Sequence, residues 1–316
     1  MTFIATASSV LLTGATPILA DVEKSDMNIS VESIKKSLTS RTKAIIPVHL
    51  FGNSCDMDEI MSFAKKNNLA VIEDCAQSPG ATYRGKTVGT IGDCGIFSFQ
   101  ESKNMMTGEG GMLITNDEYI AKIAQMVRNH GEMIVPTLKG RTYKSEFLGW
   151  GYRMTELEAA IGIAQLGKLD RFNDERIKLG TYLHNEINKI DGFRHVKYEH
   201  VKHVYWMFGV SYDETKIGLS RNLFCEALRA EGIPCSSGYV QPLYLSPLYL
   251  ERRAFAFKHY NGNAKYEKGM CPIAELLYDK ELINMIICRP PATVNDMQDV
   301  IDAIHKIIEI IPNTIL

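Results

Sequence analysis

An acid at position 74, an amide at 77, a serine at 98 and a lysine at 103 stand at or just beyond the ends of short apolar runs. Lys103 lies in GIFSFQESKNMMTGEGGM, between the apolar run Gly95–Phe99 and a loop carrying Thr107, Gly108, Gly110 and Gly111. That loop leads into a second apolar run, Met112–Thr115. Asp74 closes VIED, and Gln77 follows three positions on. These residue types can hold a phosphorylated pyridine aldehyde. The acid pairs with the ring nitrogen, the serine binds phosphate, and the lysine amine attacks the aldehyde. Gln77, one helical turn beyond Asp74, can lie along the ring and bond its phenolic oxygen. Desolvation lowers a lysine pKa and frees the amine as a nucleophile. Glycines let loop backbone approach a ligand closely.

Each of these residues also has a plainer reading. Taken alone, Lys103 is a surface lysine on a turn. Asp74 serves equally well as an N-cap for whatever helix follows. Gln77 can be a polar residue of that helix's first turn, and a strand serine such as Ser98 is ordinarily structural. The TGEGG loop fits neither a Walker nor a dinucleotide fingerprint.

Composition removes several function classes. The chain has 316 residues, 45% apolar and 23% charged, and a formal charge of 35 − 37 = −2. Such a balance shows no electrostatic footprint for nucleic acid or an anionic membrane. Seven cysteines (Cys55, Cys75, Cys94, Cys225, Cys235, Cys271, Cys288) show no CxxC spacing, so reduced thiols in the cytoplasm are expected. Eight histidines form no HxxxH pair, and no metal site is expected. The apolar start MTFIATASSVLLTGATPILADV mimics a signal peptide. It lacks a basic n-region, and Gly14 and Pro17 interrupt it. A helix over about Ile4 to Leu12, a stop at Gly14 and a strand around Pro17–Asp21 are expected instead.

The elements that position the four residues alternate. AIIPVHL (44–50) and LAVIED (69–74) read as buried strands, with a helix from an Asp56–Glu59 capping box to about Asn67 between them. This implies βαβ units, an α/β fold and a largely parallel sheet flanked by helices. Ligands of such sheets collect beyond the carboxyl ends of the strands. Asn116 is expected to cap a helix from about Asp117 to Asn129. The stretch Gly131–Gly151 reads as a long functional or mobile loop. A Thr155–Glu158 capping box opens a helix of roughly 35 residues to about Ile190, which Gly167 and Gly180 can bend or break. VYWMFGVSY (204–212) reads as a strand. Ser220 caps a helix ending at Gly232, and Asn295 caps a final amphipathic helix to about Ile311. The division is 1–165 for a large cofactor-binding domain, 166–190 for a bridging helix and 191–316 for a smaller α+β domain.

The block VIEDCAQSPGATYRGKTVGTIGDCGIFSFQESKNMMTGEGGMLITND resembles the core of the DegT/DnrJ/EryC1/StrS aminotransferases. RTKAIIPVHLFG, GWGYRMTELEAAIGIAQL, YLSPLY and CPIAE extend the resemblance over nearly the whole chain. It implies a fold-type-I, aspartate-aminotransferase-like enzyme that uses pyridoxal 5'-phosphate. The implied reaction moves an amino group, from glutamate as in the family, to a keto group of a nucleotide-activated sugar. It also implies roles by position: Lys103 as the lysine that binds the cofactor covalently, Asp74 on the ring nitrogen, Gln77 beside the ring hydroxyl and Ser98 on the phosphate. YRMTE matches a segment that reaches the neighbouring subunit's site, making Arg153 a partner-side contact in a homodimer. A branch with histidine at the lysine position dehydrates instead, and Lys103 argues against it.

Two departures stand out. The family commonly has asparagine where this chain has Gly151, and it has several dozen residues, including phosphate donors, before the segment matching TFIATASSVLLTG. A weakly loading chain with an exposed sheet edge is therefore expected. The alternatives are a catalytically impaired or regulatory member, or an aminotransferase acting on a cyclitol-type ketone.

Overall fold

The computed structural model describes residues 1–133, 144–260, 262 and 264–314. Its central sheet has the order Ala44–Ile45, Ala70–Asp74, Cys94–Ser98, Gly111–Ile114. The first three strands run parallel, and the fourth is antiparallel, with Ser98 opposite Gly111. The parallel pattern follows from the intervening helix Met57–Asn67, which buries Met57, Ile60 and Ala64 against Ile45 and Val71. Asp56 caps that helix by accepting from the Glu59 amide at 3.1 Å, and left-handed Asn68 (φ 53°) ends it.

Several elements differ from expectation for identifiable reasons. The strand expected over 44–50 pairs only at Ala44–Ile45 and returns as a single bridge between Val48 and Asp74. Pro47 has no N–H to give a ladder, though its carbonyl accepts from the Asp74 amide at 2.8 Å. The chain then turns through Leu50–Gly52, with Phe51 left-handed at φ 60°. No strand forms at Pro17–Asp21. The buried Asp21 carboxylate instead accepts from the amides of Val22, Ile273 and Ala274, each at 2.9 Å. Asp117, not Asn116, caps the helix Glu118–Arg128, accepting from the amides of Tyr119 and Ile120. Part of the expected 131–151 loop, residues 134–143, lies outside the described residues; its ends close as bridges Asn129–Gly151 and Glu132–Ser145.

The Thr155–Glu158 capping box is present in both directions. The long helix it opens is two helices, Glu156–Leu166 and Leu169–Ile187, broken at Gly167–Lys168. Gly180 does not break the second one. Its missing Cβ leaves room for the Tyr205 ring, which an added carbon would meet at 2.5 Å. Leu157 and Ile163 of the first helix are 80% and 76% exposed, so its apolar residues do not serve the core of this chain.

A second sheet, all antiparallel, has the order Ser236–Ser237, Leu282–Met285, Phe208–Tyr212, Phe193–Arg194. The strand expected over 204–212 forms only at Phe208–Tyr212, because left-handed Tyr205 (φ 47°) turns the chain before it. The helix capped by Ser220 runs Arg221–Ala230 and stops short of Gly232, which is left-handed (φ 86°). The last helix, Val294–Thr314, begins before Asn295, because Thr293 gives both its amide and its hydroxyl to Asp296. Val300, Ile301, Ile304 and Ile307 of that helix pack with Phe208, Val210, Phe224 and Leu183 in one core. A three-stranded sheet of Thr82–Tyr83, Lys86–Thr87 and Val201–Lys202 ties the two halves together.

Candidate active site

The carboxyl ends of the parallel strands meet the turn that carries Lys103. Strand alternation sends Glu73 and Asp74 to opposite faces, and the two acids do different work. Glu73 is wholly buried. Its Oε1 accepts from the amides of Ile91 (2.7 Å) and Gly92 (2.6 Å), and its Oε2 from the amide of Gly89 (2.7 Å) and from His49 Nε2 (3.0 Å). His49 Nδ1 accepts from the Cys55 amide at 3.1 Å, so the ring proton sits on Nε2 and is donated to Glu73. Burial pushes the Glu73 carboxyl up, but the His49 and glycine N–H bonds outweigh it and hold the group below its ordinary value. His49, Glu73 and Cys75 lie close enough to suggest a metal cluster, yet the donors of His49 and Glu73 are committed to this network, which clamps the strand end.

Asp74 is also buried but faces the lysine turn. Its Oδ2 accepts from the Thr6 hydroxyl at 2.8 Å and its Oδ1 from the Ala76 amide at 3.1 Å. Among the described residues no cation pairs with it directly. Gln77 is held by both ends of its amide: Oε1 accepts from the Phe51 amide at 2.7 Å, and Nε2 donates to the Tyr239 hydroxyl at 3.2 Å. Left-handed Phe51 aims that amide inward, and its ring meets Tyr239 edge-on at 5.2 Å. Burial raises the Tyr239 hydroxyl to about 12, so it is a neutral phenol.

Lys103 Nζ rests 4.0 Å from the centroid of the Trp206 ring. Trp206 in turn donates its indole N–H to the Ser102 carbonyl at 2.8 Å, fixing ring and lysine turn together. Burial lowers the Lys103 pKa, and Asp74 partly opposes that shift. Ser98 ends its strand with its hydroxyl accepting from the Gln100 amide at 3.3 Å, leaving its own proton free to donate. The loop beyond closes through the Thr107 amide to the Phe99 carbonyl at 2.8 Å. Gly110 there holds φ 143°, where an added Cβ would meet Thr107 at 2.7 Å.

Asp74, Gln77, Ser98 and Lys103 thus sit on adjoining strand ends and turns. Arg153 is elsewhere in its contacts: it is exposed, and its Nη1 donates to Asn129 at 2.7 Å. Thr6, Trp206 and Tyr239 were not anticipated. Thr6 lies in an apolar helix and the two aromatics lie more than a hundred residues beyond Lys103, so local patterning gave no reason to join them to it.

A mixed sheet with a desolvated lysine and a buried acid at its strand ends is the arrangement expected of a fold-type-I transferase. The family model for the DegT/DnrJ/EryC1/StrS aminotransferase family matches residues 1–305, and the chain belongs to that family. It is 40% identical over 253 residues to a GDP-perosamine synthase of Caulobacter vibrioides, covering 79% of this chain and 66% of the relative. It is 32% identical to the spore coat polysaccharide biosynthesis protein SpsC of Bacillus subtilis, covering 98% and 78%. The X-ray structure of an aminotransferase from Psychrobacter cryohalolentis superposes with a TM-score of 0.86 at 32% identity, covering 98% of this chain and 79% of that one. No helix among the described residues is long and apolar enough to cross a membrane.

Proposed function

We propose that this chain is a pyridoxal-phosphate-dependent aminotransferase that moves an amino group from glutamate to the keto group of a nucleotide-activated sugar. The observation that carries this reading is the Lys103 amine, desolvated over Trp206 and within electrostatic reach of an Asp74 carboxylate that no cation among the described residues pairs. The donor set suits the cofactor. Asp74, oriented by Thr6, offers an anion for a protonated ring nitrogen. Gln77, held in its Phe51–Tyr239 clamp, would border the ring, and the Ser98 hydroxyl would offer a phosphate donor. Bound pyridoxal phosphate supplies an electron sink for the carbon that loses its proton. Lys103 Nζ, its pKa lowered by desolvation, would take that proton and return it. The sugar-nucleotide substrate rests on the GDP-perosamine synthase relative, and the cytoplasmic setting on seven unpaired thiols.

We also read the enzyme as a homodimer. Exposed Leu157 and Ile163 offer an apolar face beside exposed Arg153, and the family likeness of that segment gives Arg153 its partner-side role. Mixing Lys103→Ala with Arg153→Ala chains should then restore some activity, and failure with subunit exchange verified removes that role.

The direct test is chemical. Protein incubated with pyridoxal phosphate should turn yellow, and borohydride should fix the cofactor to the Lys103 peptide. Glutamate should bleach the colour, and a keto-sugar nucleotide should restore it. Labelling of another lysine sinks the site assignment, and an unchanged spectrum with glutamate sinks the donor.

A further inference from the structure

Two bonds join the turn that carries Lys103 to one distant segment, residues 204–206. On one side of the lysine, the Ser102 carbonyl accepts from the Trp206 indole N–H at 2.8 Å. On the other, the Asn104 side chain donates to the Val204 carbonyl and to Asn173 Oδ1, each at 3.0 Å. Ser102 is also held from within the turn, its amide and hydroxyl donating to the Gln100 side-chain oxygen at 3.0 and 2.6 Å. Both neighbours of Lys103 are therefore fixed, and the motion left to the lysine is rotation of its own side chain. The segment that holds them is anchored in turn. The Val204 and Met207 amides donate to the carbonyls of Gly52 and Phe51 at 2.8 and 3.3 Å, and left-handed Tyr205 (φ 47°) turns the chain between them. Trp206 is buried, and Tyr239 meets its ring edge-on at 6.4 Å and 86°. Lys103 Nζ lies over the Trp206 ring, 4.0 Å from its centroid. Among the described residues no carboxylate pairs with Nζ or accepts a hydrogen bond from it.

We propose, on the aminotransferase reading above, that Trp206 is a positioning residue for Lys103: its ring face receives the ammonium whenever the side chain is free of the cofactor, and keeps it at the site. A lysine that binds a cofactor covalently is free for part of every cycle. It is cationic once it has taken a proton, and an ammonium withdrawn from water needs a partner. A carboxylate at contact distance would tighten the hold on that proton, because an opposite charge favours the charged form. The negative face of an indole attracts the cation and has no lone pair to accept the proton. Trp206 thus suits a group that must be charged, held and then discharged. Its N–H fixes the backbone beside the lysine while its face takes the tip, so one side chain sets both ends of Lys103. Tyr239, which accepts from Gln77 Nε2 at 3.2 Å, braces the same ring, so the amide and the lysine are set by one aromatic pair.

Tryptophans carrying one, two or three ring fluorines keep the shape of indole while withdrawing charge from its face. Full-length protein is prepared with each analogue and freed of cofactor, and Lys103 is titrated by competitive acetylation. Its midpoint should fall stepwise with fluorine, by about one unit over the series, a tenfold weaker hold on the proton. The chain has two tryptophans. In Trp206→Phe, which carries the analogue only at Trp150, the midpoint should not depend on fluorine. The wild-type series stands even if that variant folds poorly. A wild-type midpoint that ignores fluorine or rises with it overturns the dock, and so does an equal fall in Trp206→Phe. Borohydride fixation of the cofactor to Lys103 in the unfluorinated protein tests the aminotransferase reading separately. Labelling there with a fluorine-independent midpoint keeps the enzyme and removes the dock. Absence of labelling defeats the reading, and with it the role of the dock, whatever the midpoint does.

Discussion

Replacing Glu73 by glutamine should destabilise the protein far more than its loss of one charge suggests. The carboxylate accepts four hydrogen bonds, two at each oxygen, and all four partners are donors whose direction is fixed. Three are backbone amides. The fourth is His49 Nε2, whose proton is placed by the bond His49 Nδ1 accepts from the Cys55 amide. An amide at this position keeps one acceptor oxygen and turns an N–H₂ group toward the other two donors. Two bonds are lost whichever way it turns, and bonds to a charged group contribute about 1.5–3 kcal/mol each. The ceiling is therefore about 3–6 kcal/mol, and relief of burying a charge reduces it to about 3 kcal/mol, a large part of a typical stability of 5–15 kcal/mol.

The pH dependence has a definite sign. The folded Glu73 carboxyl lies below its ordinary value. Its stabilisation is thus fully present above the unfolded pKa of about 4.3 and is lost as pH falls through the folded value. Urea unfolding at pH 7 and at pH 4, followed by Trp206 fluorescence, measures both effects. The gap between wild type and variant should be about 3 kcal/mol at pH 7 and should narrow in acid. A loss under about 1 kcal/mol at pH 7, or a gap that widens in acid, refutes the clamp.

Asp74→Asn should fold normally, since its amide oxygen can still accept from the Ala76 N–H and its N–H₂ can donate to the Thr6 hydroxyl, but it should lose about one to two orders of magnitude in turnover, the equivalent of one charge-assisted bond; a variant as fast as the parent leaves Asp74 a structural cap. Gly180→Ala should cost about 1–3 kcal/mol by overpacking against the Tyr205 ring, read as a lowered thermal midpoint; no change would mean the ring yields freely. Lys103, with its pKa lowered by burial, should titrate below the ordinary lysine value of about 10.4 in competitive acetylation, and a midpoint at or above it contradicts the desolvated site.

Legibility followed sequence distance. Asp74, Gln77, Ser98 and Lys103 are visible because strand ends and a glycine loop mark them within thirty residues of one another. The Thr155–Glu158 box was readable because a capping exchange is local. What escaped was long-range or set by one residue's backbone. Pro47 cuts a strand that apolar content alone extends, and Tyr205 in the left-handed region cuts another. Buried Asp21 resembles the end of a strand until the amides of Ile273 and Ala274, 252 and 253 positions away, explain it. Trp206 and Tyr239 carry no local mark of proximity to Lys103. Gly180 reads as a helix breaker until the ring it accommodates is known.

The tether from the Trp206 indole to the Ser102 carbonyl spans 104 positions, and the Gln77–Tyr239 bond spans 162. Contacts of such separation carry a loop-closure cost that only a nearly complete chain can offset. During synthesis, the strand bearing Asp74 and the turn bearing Lys103 leave the ribosome while the aromatic residues that cover them are still untranslated. The lysine therefore stays hydrated, without the lowering of its pKa that burial brings, until the second sheet docks. Formation of a reactive amine is then a late event in folding, so reaction of Lys103 with an aldehyde during refolding would report the docking of the two halves rather than the formation of the first sheet.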